Sequence, residues 1–198
     1  MDSDGRVRII EEKLLADDWA RLTKYTIDFT RRDGASERQI RQVYDRGNGA
    51  GILPIDRERG TVLLVRQFRM PAYLNPRSGA GERGMLIEVC AGLLDANDPE
   101  TAIRKEAEEE LGFRLNSVQK VFDAYMSPGS VSERLSLFVA EYTPADRISA
   151  GGGAIDEGED IEVLEMPLTR AFALVQDGTI ADAKTIMLLQ YALLKELT

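Results

Sequence analysis

A mixed α/β (α+β) fold with a small antiparallel β-domain in front of it is the class the sequence predicts. Residues 5 to 46 alternate apolar and polar side chains in short runs and close on a hairpin-type turn at Arg32-Asp33-Gly34. Through the middle of the chain, strand-like runs give way to one capped helical stretch and then return. Two helical periods end the sequence. At 198 residues the chain can bury one main core and carry a small appendage.

The first domain, residues 1–46, reads as three or four antiparallel strands, and residues 47–198 as the main domain. In the latter, GAGILPI (49–55), TVLLVRQFR (61–69) and MLIEVCAG (85–92) are strands rich in β-branched residues. They are parted by turn chemistry at Arg59-Gly60 and by a loop over Pro71–Gly84. A helix follows from Asp98 to Leu111. Asp98 can cap its free N–H groups, Pro99 takes the first helical position where no donor is needed, and Gly112 supplies the stop. Strands at 118–126 and 134–143 come next, then a glycine-rich acidic loop, AGGGAIDEGED (150–160), read as a flexible loop over a site, and the strand IEVLEM. The closing helices span about 168–176 and 183–197, the second with Ile186, Leu189, Ala192 and Leu193 at helical spacing.

Composition narrows the function. The chain is 43% hydrophobic and 30% charged, with a net charge of −9, which argues against extended contact with nucleic acid or an anionic membrane. No apolar run is long enough to cross a bilayer, and the start has no secretory pattern, so a cytoplasmic protein is expected. The single cysteine, Cys90, lies in an apolar run and reads as a buried, inert thiol. With no histidine anywhere, Ser-His and Cys-His chemistry and histidine-ligated zinc are excluded. Acid–base work then falls to carboxylates, lysine or tyrosine.

The helix RKEAEEELGF crowds Glu106, Glu108, Glu109 and Glu110 into five positions, although like charges one turn apart repel. On a helical wheel Ile103, Ala107 and Leu111 form the core stripe, with Glu110 and Glu106 roughly 60° and 100° to one side of it. A solvated polar face explains Glu108 and Glu109. It explains Glu106 and Glu110 less well, because carboxylates four apart at the rim of a core pay desolvation and mutual repulsion unless a cation joins them. A hard cation such as Mg²⁺ relieves both. An EF-hand does not fit: Asp95, Asn97 and Glu106 have the spacing, but Glu100 stands where the loop needs glycine. Gly151 to Gly153 are not a phosphate-binding loop either, since no Gly-Lys-Ser/Thr follows.

The stretch CAGLLDANDPETAIRKEAEEELGF resembles the Nudix box, with lysine (Lys105) where the pattern has arginine and Asn97 where an acid is usual. Beyond the box, VYDRGNGAGIL (43–53), LLVRQFR (63–69), EVCAGLLD (88–95), YMSPGSVSERLSLFVAEY (125–142), AGGGAIDEGEDIEVLEMP (150–167) and GTIADAKTIMLLQY (178–191) are similar to the GDP-mannose pyrophosphatase branch of the Nudix superfamily, close to the ADP-ribose pyrophosphatases. The resemblance implies an α/β/α Nudix sandwich whose N-terminal β-domain is exchanged across a homodimer. It also implies Mg²⁺-dependent (or Mn²⁺-dependent) hydrolysis of a nucleoside diphosphate sugar, GDP-mannose giving GMP and mannose 1-phosphate.

Carried over position by position, the resemblance implies metal ligation by the Ala91 carbonyl, Glu106, Glu110 and Glu159. Arg69 would grip the diphosphate, with Ala91, Gly92 and Leu93 lining it; Glu110, Glu133, Gly158, Glu159 and Lys184 would face the substrate; and Trp19 and Arg41 of the partner subunit would border the base. The planar fork of Arg69 suits phosphate oxygens on chemical grounds alone. Glu159 or Glu110 ranks ahead of Glu133 as the group that activates water. Each residue also has a plainer role: Arg69 pairing with a surface acid, Trp19 packing in a core or dimer, Lys184 as an exposed first-turn lysine. The rival functions are ADP-ribose or ADP-sugar hydrolysis, which shares the diphosphate machinery, and non-catalytic sensing of nucleotide sugars.

Overall fold

In the computed structural model the described residues are 5–77, 81–154 and 158–197. The chain divides into two compact units: one runs up to Asn48 and takes in Tyr125–Arg134, and the other comprises Gly49–Ala124 and the chain from Leu135 onward.

The first unit is an antiparallel sheet of β1 (Val7–Asp17), β2 (Arg21–Thr30) and β3 (Ser36–Asp45), with β2 in the middle. The turn between β2 and β3 falls where the sequence places it, with Gly34 at φ 84° and the Asp33 carboxylate accepting from the Ala35 N–H at 3.0 Å. Two irregularities in the β1–β2 register, between Ile9 and Glu11 and between Leu14 and Ala16, bend β1. The Tyr125–Arg134 segment joins this sheet through Tyr44, whose N–H donates to the Ser130 carbonyl at 2.8 Å and whose carbonyl accepts from Ser132 at 3.1 Å.

The second unit is built on a sheet of order β10-β5-β4-β9-β8: β4 is Gly49–Asp56, β5 Thr61–Phe68, β8 Val118–Tyr125, β9 Arg134–Glu141 and β10 Glu162–Pro167. β4 and β9 run parallel and β5 is antiparallel to both β4 and β10. The helices are α1 (Met70–Leu74), α2 (Pro99–Glu106), α3 (Leu168–Gln176) and α4 (Ala183–Leu194). Ala50 and Ile52 of β4, Leu63 and Val65 of β5, and Ile103, Ala107 and Leu111 after them share one apolar cluster, so the predicted stripe of the acidic helix does face the core. Strand alternation sends Leu53, Leu64 and Leu137 to the opposite face, and α3 and α4 pack on β4, β5 and β10.

Three local expectations are corrected. The loop after β5 begins with the short helix α1, because Pro71 at its start needs no donor there. The predicted strand 85–92 is two strands, β6 (Met85–Glu88) and β7 (Cys90–Leu93): β6 pairs with β5, β7 with β4, and the chain switches partners at Val89. The acidic helix is α-helical only to Glu106, and Ala107–Leu111 form a wider π turn. Helical wheels drawn with one period miss such a turn, which recurs at functional sites.

Candidate active site

α2 starts as its sequence requires: the Asp98 side chain accepts from the N–H groups of Glu100 and Thr101 at 3.1 Å each, with Pro99 in the first turn. At the other end Gly112 takes φ 76°, and the loop after residue 150 comes back to the open carbonyls. Gly152 N–H donates to the Glu110 carbonyl at 2.9 Å and Gly153 N–H to that of Glu109 at 3.2 Å. Gly151, Gly152 and Gly153 all have positive φ, and a Cβ on Gly151 would strike the Glu110 carbonyl. The triple glycine is therefore the cap of the acidic helix rather than a loose cover, and its N–H groups at 152 and 153 are committed to carbonyls. Ile155 to Glu157 of that loop lie outside the described residues.

This cap delivers Glu159 to the helix. Glu159 Oε2 accepts from the Ala154 N–H at 2.9 Å, and the Glu159 N–H returns to the Ala154 carbonyl at 3.3 Å. Glu110, in the π turn, is only 2% exposed. Its Oε2 faces the Ala91 N–H at 3.3 Å, and the buried Cys90 thiol, itself raised well above its usual pKa mainly by burial, also bonds to it. Burial pushes the Glu110 carboxyl up to about 8; the charges of Glu106 and Glu159 push the same way, against the bonds from Cys90 and Ala91. Glu106, one turn back, lays its carboxylate against Gly92. Glu108 turns away to pair with Arg114 at 2.9 Å, as a solvated flank should. The two departures from the box meet each other: Lys105 Nζ donates to Asn97 Oδ1 at 3.3 Å.

The donor set of Glu106, Glu110, Glu159 and the β7 backbone at Ala91 is all oxygen, which suits a hard divalent cation, and such an ion would offset the burial and the neighbouring charges of Glu106 and Glu159 that raise the Glu110 carboxyl. Among the described residues no three such side chains stand close enough to form a closed cage by themselves. The acids are neighbours that feel one another's charge.

Arg69 and Lys184 come together through a residue that sequence reasoning passed over. Glu88, at the end of β6, accepts from Arg69 Nε at 2.8 Å and from Lys184 Nζ at 3.1 Å. A lone acid inside the apolar run MLIEVCAG was the available signal, since a carboxylate in a buried strand requires cationic partners. Lys184 is buried rather than an exposed first-turn lysine, and Asp182 Oδ1 holds it from the other side at 3.0 Å. Leu93 follows Gly92 on β7, and Gly158 is exposed with φ 77°.

Trp19, Arg41 and Glu133 belong to the first unit. Trp19 is 68% exposed, so it is no core aromatic; Arg46, also missed from the sequence, stands over its ring at 5.6 Å and donates from Nε to Glu133 Oε1 at 2.7 Å. Arg41 is exposed and folds back on the Ile40 carbonyl at 2.9 Å.

These two units match two family models in tandem: residues 45–189 match the NUDIX domain, and residues 6–44 match the GDP-mannose pyrophosphatase NudK N-terminal domain. The chain belongs to the Nudix hydrolase family, within its GDP-mannose pyrophosphatase branch. It is 54% identical over 189 residues to a GDP-mannose pyrophosphatase of Pectobacterium atrosepticum, covering 96% of this chain and 95% of that one. A GDP-mannose pyrophosphatase of Yersinia enterocolitica is 52% identical over 187 residues, covering 94% and 95%. A crystal structure described as an ADP compounds hydrolase aligns over 100% of this chain and 98% of its own with a TM-score of 0.70; at 19% identity it shows the shared fold. Nudix hydrolases generally use divalent metal ions.

Proposed function

We propose that this chain hydrolyses the diphosphate linkage of GDP-mannose to GMP and mannose 1-phosphate, with Mg²⁺ as its ion and Mn²⁺ able to replace it. The observation that supports the reading is that Glu106 and Glu159 stand near enough to the buried Glu110 for their charges to act on its carboxyl, in a chain more than half identical to proteins named for that activity. Bound Mg²⁺ supplies charge neutralisation and a more acidic water.

The chain's own groups do the rest. Glu106, Glu110, Glu159 and the Ala91 carbonyl hold the ion; Glu159 or Glu110 accepts the proton of the attacking water; Arg69 and Lys184 carry the charge of the phosphoryl oxygens. Gly92 and Leu93 line the diphosphate, Gly158 faces the substrate, and Glu133 is a further substrate contact. Trp19 and Arg41 border the base from a partner subunit, residues 1–46 being the domain that is exchanged. Ile9, Ile10, Leu14, Leu15 and Ile40 leave the three-stranded sheet with exposed apolar side chains, which favours a second copy of the chain as its cover in a cytoplasmic homodimer.

Incubation with GDP-mannose and with ADP-ribose, each with Mg²⁺, followed by separation of the products, tests the reading. GMP and mannose 1-phosphate are the expected products; cleavage of ADP-ribose alone would move the substrate to the adenine series. Binding of both without cleavage would leave a sensor.

A further inference from the structure

Glu88 is 3% exposed and spends both carboxylate oxygens on cations that the proposed reaction uses: Oε2 on Arg69 Nε at 2.8 Å, Oε1 on Lys184 Nζ at 3.1 Å. We propose that Glu88 is a positioning residue, a buried anionic spacer that fixes the Arg69 guanidinium and the Lys184 ammonium as one pre-set pair for the two phosphoryl groups of the substrate; this rests on the reading of Arg69 and Lys184 as diphosphate contacts.

The spacer is itself held from both sides. Its strand ends against β5, where Glu88 pairs with Val65. The next residue is stitched to the far helix, since the Val89 N–H donates to Thr185 Oγ1 at 2.8 Å, and the N–H and hydroxyl of Thr185 donate to Asp182 Oδ2 at 3.0 and 2.6 Å. The partner switch at Val89 and the first turn of α4 are thus one clamp, with the carboxylate of Glu88 inside it. An ammonium in the first turn of a helix works against the helix dipole. Lys184 stays there, 8% exposed, because Glu88 and Asp182 flank it.

Arg69 is the freer of the pair, with 38% of its side chain exposed. Glu88 takes its Nε edge, and the remaining guanidinium donors are not used by that bond. Long cationic side chains lose rotamer freedom when they grip a ligand, and a carboxylate that has already fixed them removes that cost from the binding step. Glu88 touches no reacting atom in this arrangement. Its effect passes through the two cations.

Steady-state kinetics of the full chain with Mg²⁺ and GDP-mannose, for Glu88→Gln, Arg69→Ala and the double variant, test the assignment. Glu88→Gln is expected to raise KM about tenfold with a smaller change in kcat, and to add a smaller factor in the Arg69→Ala background, where only its hold on Lys184 is left to lose. Equal multiplicative effects in both backgrounds, or an unchanged KM in Glu88→Gln while Arg69→Ala raises it, overturn the positioning role. An Arg69→Ala variant with unchanged KM overturns the diphosphate contact itself and the inference with it. Should Glu88→Gln fail to fold because the buried Lys184 loses one of its two carboxylate partners, Glu88→Leu combined with Lys184→Met removes both charges of that pair. Its KM is expected to exceed that of Lys184→Met alone, and equality overturns the proposal.

Discussion

The carboxylate of Glu106 occupies the space where a side chain on Gly92 would begin: a Cβ built there falls far inside van der Waals contact of Glu106 Oε1. The backbone of Gly92 is not in the left-handed region, so the obstacle is that carboxylate rather than the conformation.

Gly92→Ala should therefore displace Glu106 while leaving the fold nearly untouched, because a carboxylate at the end of a flexible stem can move. Activity is expected to fall about 10–100-fold, the scale seen when a metal ligand is misplaced. The melting temperature should move by less than about 4 °C, the shift that ~1 kcal/mol produces in a chain of this size. Kinetics and thermal melting of the purified variant check both halves.

Glu110→Gln should keep the fold and lose at least about 10²-fold in turnover. Its stability without metal should also differ from wild type in a fixed direction. The folded-state pKa of Glu110 is raised from 4.5 to about 8, so the folded chain holds an extra proton between those values. That contribution is complete below pH 4.5 and is lost as the pH climbs through about 8. Metal-free wild type should weaken relative to the glutamine variant between pH 5 and 9, as read by melting curves in chelator.

The same raised pKa couples the ion to a proton. At pH 7 the Glu110 carboxyl of the metal-free protein is mostly protonated, and a ligating carboxylate must ionise. Titration with Mg²⁺ or Mn²⁺ at pH 7 is expected to release about one proton per site, and at pH 9 almost none. Calorimetry in two buffers of different ionisation enthalpy measures the number.

Trp19→Ala should raise KM or weaken the proposed dimer, since the indole is exposed and packs in no core. Arg46→Ala, which removes the cation over that ring, should act in the same direction and more weakly, by about 0.5–1 kcal/mol for an exposed cation–π pair. Steady-state kinetics and sedimentation together separate the two effects, and no change in either would remove Trp19 from the site.

Asp28 ties the N-terminal sheet together by charge. It faces Arg38 on one neighbouring strand and Arg8 on the other, each at 2.8 Å, and their guanidinium bonds hold its carboxyl down at about 2 against the usual 3.8. A depressed carboxylate stabilises fully above its unfolded pKa and loses that contribution as the pH falls through the folded one. Amides of β1 to β3 should lose protection from hydrogen exchange between pH 4 and 2, and Asp28→Asn should remove that dependence.

Much of this was legible in the residues. The start of α2 at Asp98-Pro99, the stop at Gly112 after the π turn that continues it, and the apolar stripe the two share are stated by side chains that act within one turn of their own position. The crowding of glutamates raised the expectation of a cation on equally local grounds. Glu88 and Arg46 escaped, because the meaning of each lies in a partner far away in sequence: Lys184 is 96 residues from Glu88, and Glu133 is 87 residues from Arg46.

By itself, then, the sequence determined the elements whose causes are short-ranged: caps, turns, strand propensity, the acids on one helical turn and the absence of histidine. Tertiary structure alone decided that residues 85–93 serve two different partner strands, that the acidic turn widens to a π turn, that Gly151–Gly153 close the helix end, and that Glu110 is sealed from water. The physical reason is that desolvation and hydrogen-bond competition depend on which distant groups arrive. A carboxylate reads the same in a string of letters whether its nearest neighbour is water, a thiol or a buried lysine.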